Sequence, residues 1–250
     1  MKTIRWLLFG LVLFASKTAI AEQSSLLINT RFLGEKLQEA AMHREYAQGI
    51  FPIMRWEMPE ASVAVVFEPY HAQDVSENLV PHLENVRRTI FRATQFAYLF
   101  PKKLSDETPP QVIVTFGSAN ELISFADILE QSLSILDFKE LLEDQRNQGL
   151  PVCGTGAVWD EKTWELQFVA IALENTKQLE QCVNSTFMVS MGLVADLKGI
   201  SYSILGDNAD EIKITPFEQV LLRALYSDNL SSGQTPSVEE LTDIFDKILR

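Results

Sequence analysis

Residues 157–173 read AVWDEKTWELQFVAIAL. Two β-branched and aromatic runs, Ala157 to Trp159 and Thr163 to Leu173, flank the turn residues Asp160-Glu161-Lys162, and that order predicts a β-hairpin. In the second run Trp164, Leu166, Phe168, Ala170 and Ala172 alternate onto one side and Glu165 and Gln167 onto the other, the period of a pleated strand. Lys177 to Leu193 follows with helical spacing. A late hairpin running into a helix places the chain among α+β folds if the earlier segments mix helices and short strands.

They do. Leu33 to Tyr46 reads as a helix, broken by Gly49 and Pro52. Ser62 to Phe67, SVAVVF, and Val112 to Phe116 are short apolar strands. Between them, Asp74 to Phe100 carries Val80, Leu83, Val86, Ile90, Phe91, Ala97 and Leu99 at helical spacing, with Pro81 near its start. The proline-bracketed stretch 101–110 is a loop. Glu121 to Leu129 and Ile135 to Gln145 read as helices, and Gly149, Pro151 and Gly154 bracket a loop holding Cys153. After a loop at 196–210, helices are expected over Pro216 to Tyr226 and Ser237 to Leu249, the last opened by the capping-box pattern Ser237-x-x-Glu240.

The N-terminus carries an address. Lys2 and Arg5 precede the apolar core Trp6 to Ala15, and Ala19-Ile20-Ala21 is a small-x-small cleavage pattern. Ten apolar residues are too few to span a bilayer, which takes about 20. The expected organisation is therefore a cleaved signal peptide at 1–21, a leader at 22–34 and a single domain at 35–250. That predicts a periplasmic or secreted protein of a Gram-negative envelope, with no stable membrane anchor after cleavage. Losing Lys2, Arg5 and Lys17 takes the formal charge from −13 to −16. Such a surface repels phosphate, so nucleic acid is excluded as a partner. An oxidising compartment favours a disulfide between Cys153 and Cys182.

No catalytic motif stands out. His43, His71 and His82 are the only histidines and none lies in an HExxH pattern. GxSxG, GxxxxGK[ST] and GxGxxG are absent. Glu140, Glu143 and Asp144 read as a solvated face rather than glycosidase carboxylates. Asp207 and Asp210 offer hard oxygen ligands but miss the calcium-loop spacing and its glycine. No cofactor is expected.

Several landmarks in order carry a family resemblance. Arg44-Glu45-Tyr46 ends the first helix, and Met54-Arg55-Trp56 precedes the first strand. One cysteine precedes the hairpin and a second lies in the next helix, which runs on to Met191-Gly192-Leu193 and Asp196. Leu221-Leu222-Arg223-Ala224-Leu225-Tyr226-Ser227-Asp228 and Gly233 close the series. Over residues 35 to 250 the chain resembles the DUF2927 family of exported proteobacterial proteins, which has no established activity. The family in turn looks distantly like zincin metallopeptidases.

The resemblance implies a zincin-like mixed sheet with an edge hairpin, and then a helix in the place of the metal-binding helix. The family pattern sets an acidic pair and a glutamine on that helix, where this chain has Ser185, Thr186 and Val189. Valine has no lone pair to give a metal, and a threonine is no general base at neutral pH. The expected reading is thus a non-catalytic scaffold, a pseudoenzyme, that binds protein or peptide. The hairpin strand Trp164-Glu165-Leu166-Gln167-Phe168 is expected to be the edge that pairs with it. The alternatives are a hydrolase, peptidase or glycosidase, with an unobvious site, and a purely structural assembly partner.

Overall fold

In the computed structural model, residues 29–43, 49–100, 109–133, 135, 137–198, 200–206 and 212–250 are described. The expected signal peptide, Arg44-Glu45-Tyr46 and the acidic stretch Asp207 to Asp210 lie outside them.

Strand formation follows the apolar runs. β1 (Glu60–Val66), β2 (Ala97–Leu99), β3 (Val112–Gly117), β4 (Cys153–Trp159) and β5 (Leu166–Glu174) form one five-stranded sheet in the order β2-β1-β3-β5-β4. β2, β1, β3 and β5 are mutually parallel, and β4 pairs antiparallel with β5. The class is α+β, as expected. Helices α1 (Thr30–Met42), α2 (Val80–Thr94), α3 (Ala119–Leu133), α4 (Phe138–Asn147), α5 (Leu179–Ser190), α6 (Pro216–Leu225) and α7 (Val238–Ile248) cover the sheet.

The two faces are unequal. Val63, Val114, Val169, Ile171 and Leu173 point into a large core with α1, α2, α5, α6 and α7. Ala170 and Ala172 face a smaller core built by α3 and α4. β5 is therefore buried on both faces, and the expected one-sided alternation breaks at Leu166, which joins the large core. The cause is a register shift between Val158 and Trp159, which slips the pairing by one residue and turns Leu166 over.

Three boundaries differ from the sequence reading. α1 starts at Thr30, because the Asn29 side chain accepts from the Phe32 N–H at 3.0 Å and caps it. Residues 30–34, assigned to the leader, so belong to the first helix, and Leu33 is fully buried. The long helix expected over 74–100 ends at Thr94, after a π-helical stretch at Val75–Leu79. Gln95 takes a left-handed conformation there (φ 63°), and Ala97–Leu99 runs on as β2 beside β1. Gly154, expected in a loop with Cys153, lies in β4.

α6 is opened by a buried capping box. Glu218 is fully buried, and its carboxylate accepts from the Thr215 N–H (2.7 Å), the Thr215 hydroxyl (2.5 Å) and the Ile204 N–H (3.0 Å). It ties the loop before α6 to the helix end. Burial pushes the Glu218 carboxyl up, against the hydrogen bonds from Ser203 and Thr215. A raised folded-state value favours the protonated form, so this contribution to stability is complete below the unfolded value near 4.5 and is lost as pH rises through the folded one. Glu218→Ala is expected to cost about 2 kcal/mol in chemical denaturation at neutral pH, since the orphaned donors outweigh the relieved desolvation. The variant's stability should fall less than the wild type's as pH rises from 4.5. Equal slopes would refute the assignment.

Candidate functional site: the outer strand and its disulfide-tied helix

The helix singled out by sequence, α5, lies directly against β4. Cys182 on α5 and Cys153 at the start of β4 form a disulfide, with Cα atoms 5.8 Å apart. Two residues along β4, the Thr155 hydroxyl donates to the Thr186 carbonyl at 3.1 Å. Cys182 and Thr186 are thus the turn-spaced contacts that seat α5 on the outer strand.

The three site-helix positions keep to their own helix. Thr186 is buried and its hydroxyl donates to the Cys182 carbonyl at 2.7 Å; Ser185 Oγ donates to the same carbonyl at 3.3 Å. Such back-bonding occupies the hydroxyl protons within the helix. Ser185 and Val189, with Gln181, form a half-buried stripe at four-residue spacing beside the face that holds β4.

The strand expected at the sheet edge, Trp164 to Phe168, is not there. Leu166 to Phe168 begin β5, which is bracketed by β3 and β4, and Leu166 N–H donates to Arg55 O at 3.0 Å. β3 takes that side of β5 from Val169 onward and Arg55 takes it at Leu166, so this strand is interior to the sheet. The outer strand is its hairpin partner, β4, and no described strand pairs with β4's far side.

The polarity of β4 follows from the ladder. Glu174 N–H donates to Val152 O, so Val152, Gly154, Gly156 and Val158 turn their backbone groups toward β5. Cys153, Thr155 and Ala157 turn theirs outward. The Gln145 side chain of α4 already takes both groups of Cys153, accepting from its N–H at 2.9 Å and donating to its carbonyl at 2.8 Å. Gln145 so imitates an added strand at one residue and leaves Thr155 and Ala157 as the outward-facing pair.

Gly154 and Gly156 face α4. A Cβ at Gly156 would come within 2.6 Å of Ile135 Cγ2, and one at Gly154 within 3.0 Å of Leu141 and Leu142 methyl carbons. These glycines let α4 lie close enough for Gln145 to reach over the strand. Sequence reasoning missed β4 as the edge. The alternating Gly154-x-Gly156 within a strand run was the available signal, since such glycines mark close backbone approach.

The family landmarks meet elsewhere, in a buried polar network. Arg55 is 8% exposed; its Nε and Nη2 each donate to Glu57 at 3.0 Å, and Nη1 donates to Leu225 O at 2.5 Å. Its guanidinium lies 5.4 Å from the Tyr226 ring. Tyr226 Oη donates to Met191 O and accepts from the Trp56 N–H. The Trp56 indole donates to Ser190 O at 2.9 Å, and Tyr98 Oη lies 2.8 Å from Ser190 Oγ. Gly192 has φ 97°, and a Cβ there would sit 2.1 Å from Met54 O, so only glycine fits where the turn after α5 presses on this segment.

Burial pushes the Tyr98 and Tyr226 phenols far up, so they act as neutral hydrogen-bonding groups. Burial raises the Glu57 carboxyl too, but hydrogen bonds from Arg55 and Ser232 bring it below the ordinary carboxylate range. Every polar atom here has a partner, which makes the network a structural lock between residues 170 positions apart.

Of the histidines, His71 is drawn into a cluster beyond the ends of β3 and β5. Its Nε2 lies 3.1 Å from Glu121 Oε2 and its Nδ1 3.8 Å from Asp74 Oδ2. The Ser118 hydroxyl donates to Glu121 at 2.6 Å, not to His71, so no Ser–His pair forms. Among the described residues no group of three His, Cys, Asp or Glu side chains converges for a metal ion. Among the same residues no helix is long and apolar enough to cross a membrane.

Fold and site together define a disulfide-tied α+β domain whose mixed sheet ends in an antiparallel outer strand seated on a helix. The chain belongs to the DUF2927 family, described as a protein of unknown function, whose model matches residues 31–246. Neither a search of curated proteins nor one of solved structures returned a match.

Proposed function

We infer that this protein is an exported, non-catalytic envelope protein that holds an extended segment of protein or peptide along the outer side of β4. The observation that carries this reading is the outward-facing backbone of Thr155 and Ala157 beside the half-buried stripe Gln181, Ser185 and Val189. Addition of a strand to such an edge supplies main-chain hydrogen bonds, and alternate side chains of the guest are read by the flanking surface. Export is the reading of the N-terminal segment, and the Cys153–Cys182 disulfide fits an oxidising compartment.

The order of an outer hairpin followed by a helix supports a zincin-like architecture. The residues of that helix do not fit the zinc that such an architecture implies. Ser185 and Thr186 direct their hydroxyls to Cys182 O, Val189 has no donor atom, and no imidazole or carboxylate stands beside them on the helix.

Selection from a displayed library of short random peptides, followed by hydrogen exchange on the complex, tests the reading. The Thr155 and Ala157 amides are expected to gain protection. Ala157→Pro removes one outward N–H without touching the β5 ladder, and should abolish peptide binding while changing stability by less than about 1 kcal/mol. Stoichiometric zinc in the purified protein, or cleavage of the bound peptide, would overturn it in favour of a hydrolase.

A further inference from the structure

The outer strand ends on two stacked tryptophans. Trp159, the last residue of β4, is 38% exposed, and its ring lies 6.2 Å from that of Trp164 with only 16° between the planes. Trp164 is half-buried and is held with φ 61°, a left-handed conformation that a bulky residue adopts only against a steric cost. A five-residue turn enforces it: Asp160 N–H donates to Glu165 O at 2.9 Å, and Trp164 N–H donates to Asp160 O at 2.7 Å. Glycine would sit in that conformation without strain, yet the position carries an indole and points it at its neighbour's ring.

The surroundings are anionic. Asp160 and Glu165 adjoin the two tryptophans in the chain and Glu161 lies in the turn between them, with Lys162 as the turn's cation. The Thr163 and Lys162 backbone N–H groups hold the Asp160 carboxyl below the ordinary carboxylate range, so it stays charged. Further off, on the side of α4 turned away from β4, Glu140, Glu143 and Asp144 line an open groove with Glu130, Asp137 and Lys139. The formal charge of the whole chain is −13.

We propose that the segment added to β4 is cationic, and that the stacked Trp159 and Trp164 indoles, joined by the acidic turn Asp160-Glu161, receive an arginine side chain of that segment. A strand paired at Thr155 and Ala157 reaches Trp159 two residues on, about 6.6 Å along the strand. The side chain at that register meets an indole face. Guanidinium groups stack on indoles and are drawn to the ring's negative face, more strongly than neutral side chains of similar shape. Two aromatic rings with nearby carboxylates thus select charge, while the backbone of β4 supplies affinity independent of sequence. This inference rests on strand addition at β4, and the two are separable by experiment.

Titration calorimetry of the purified protein with synthetic peptides of alternating valine and arginine, and of alternating valine and glutamine, provides the test. Hydrogen exchange of the Thr155 and Ala157 amides is followed in parallel. The arginine peptide is expected to bind about tenfold more tightly, and Trp159→Ala should remove most of that preference. Trp164→Gly removes the second indole while relieving the left-handed backbone, so it keeps the test informative if the alanine variant is unstable. Equal binding of both peptides with both amides protected would overturn the cation reading and leave strand addition standing. An arginine preference undiminished in both tryptophan variants would overturn the indole site. Failure of both peptides to bind would overturn both readings.

Discussion

Arg55→Ala is expected to lower the unfolding free energy by about 2–3 kcal/mol, measured by urea denaturation at neutral pH. The guanidinium is nearly enclosed and spends its donors on Glu57, Leu225 O and Ser227 O. Deleting it leaves the Leu225 and Ser227 carbonyls without their donor and removes the ion-pair partner of Glu57, which is exposed and keeps the Ser232 N–H. Removing one member of such a buried set costs more than the set contributed, because the desolvation of the rest is no longer compensated.

Arg55→Lys should recover less than half of the loss, since an ammonium cannot make the two-pronged contact to Glu57 and the carbonyl contact together. The acid limb changes as well. Glu57 has a lowered folded-state value, so its contribution is present above the unfolded value near 4.5 and is lost as pH falls through the folded one. In Arg55→Ala that acid-dependent part should flatten. A variant within about 1 kcal/mol of wild type would show that the network is not a stabilising lock.

Reduction of Cys153–Cys182 is expected to cost about 3–4 kcal/mol. The cysteines are 29 positions apart, and opening that closure returns conformational freedom to the unfolded chain. For a domain of this size the melting temperature should fall by roughly 10 °C on adding reductant. The double variant Cys153→Ser, Cys182→Ser should show the same fall and no further response to reductant. A melting temperature indifferent to reductant would sink the assignment. The bond has a local effect too, because it fixes the register of α5 against the outer strand. Peptide binding at β4 is therefore expected to weaken on reduction beyond the loss explained by unfolding.

Local signals in the sequence were reliable where one short segment held all the information. Ser237 and Glu240 open α7 with the expected capping box, and the α+β class followed from the hairpin and the strand runs. The disulfide followed from compartment and count. What failed was lateral order. Nothing in Thr163 to Leu173 says which of its two sides stays uncovered, because an interior strand and an edge strand share the same period. Ala97 and Leu99 fell into the preceding helical repeat, since a three-residue strand offers no alternation to detect; the left-handed cap that ends the helix, its N–H bonded to Phe91 O, is carried by Gln95 rather than by a glycine that would announce it.

The candidate site was half legible. Ser185, Thr186 and Val189 lie on the helix expected after the hairpin. Gln145, Thr155 and Ala157 were not found, because their role depends on α4 crossing over the strand. The Arg55–Tyr226 network was visible only as separate landmarks, for its members are distant in the chain and no spacing rule joins them.

That distance governs when the protein becomes complete. Synthesis runs from the N-terminus, so Arg55 emerges long before Leu225, Tyr226 and Ser227 exist to receive it. Until they arrive, the Arg55–Glu57 pair lacks its carbonyl acceptors and the Trp56 N–H lacks the Tyr226 hydroxyl, and the large core stays open. A product truncated before Leu225 therefore lacks the acceptors and the phenol that seat Arg55 and Trp56, and is exposed to proteolysis. Closure around Arg55 and Trp56 thus waits on the C-terminal end of α6.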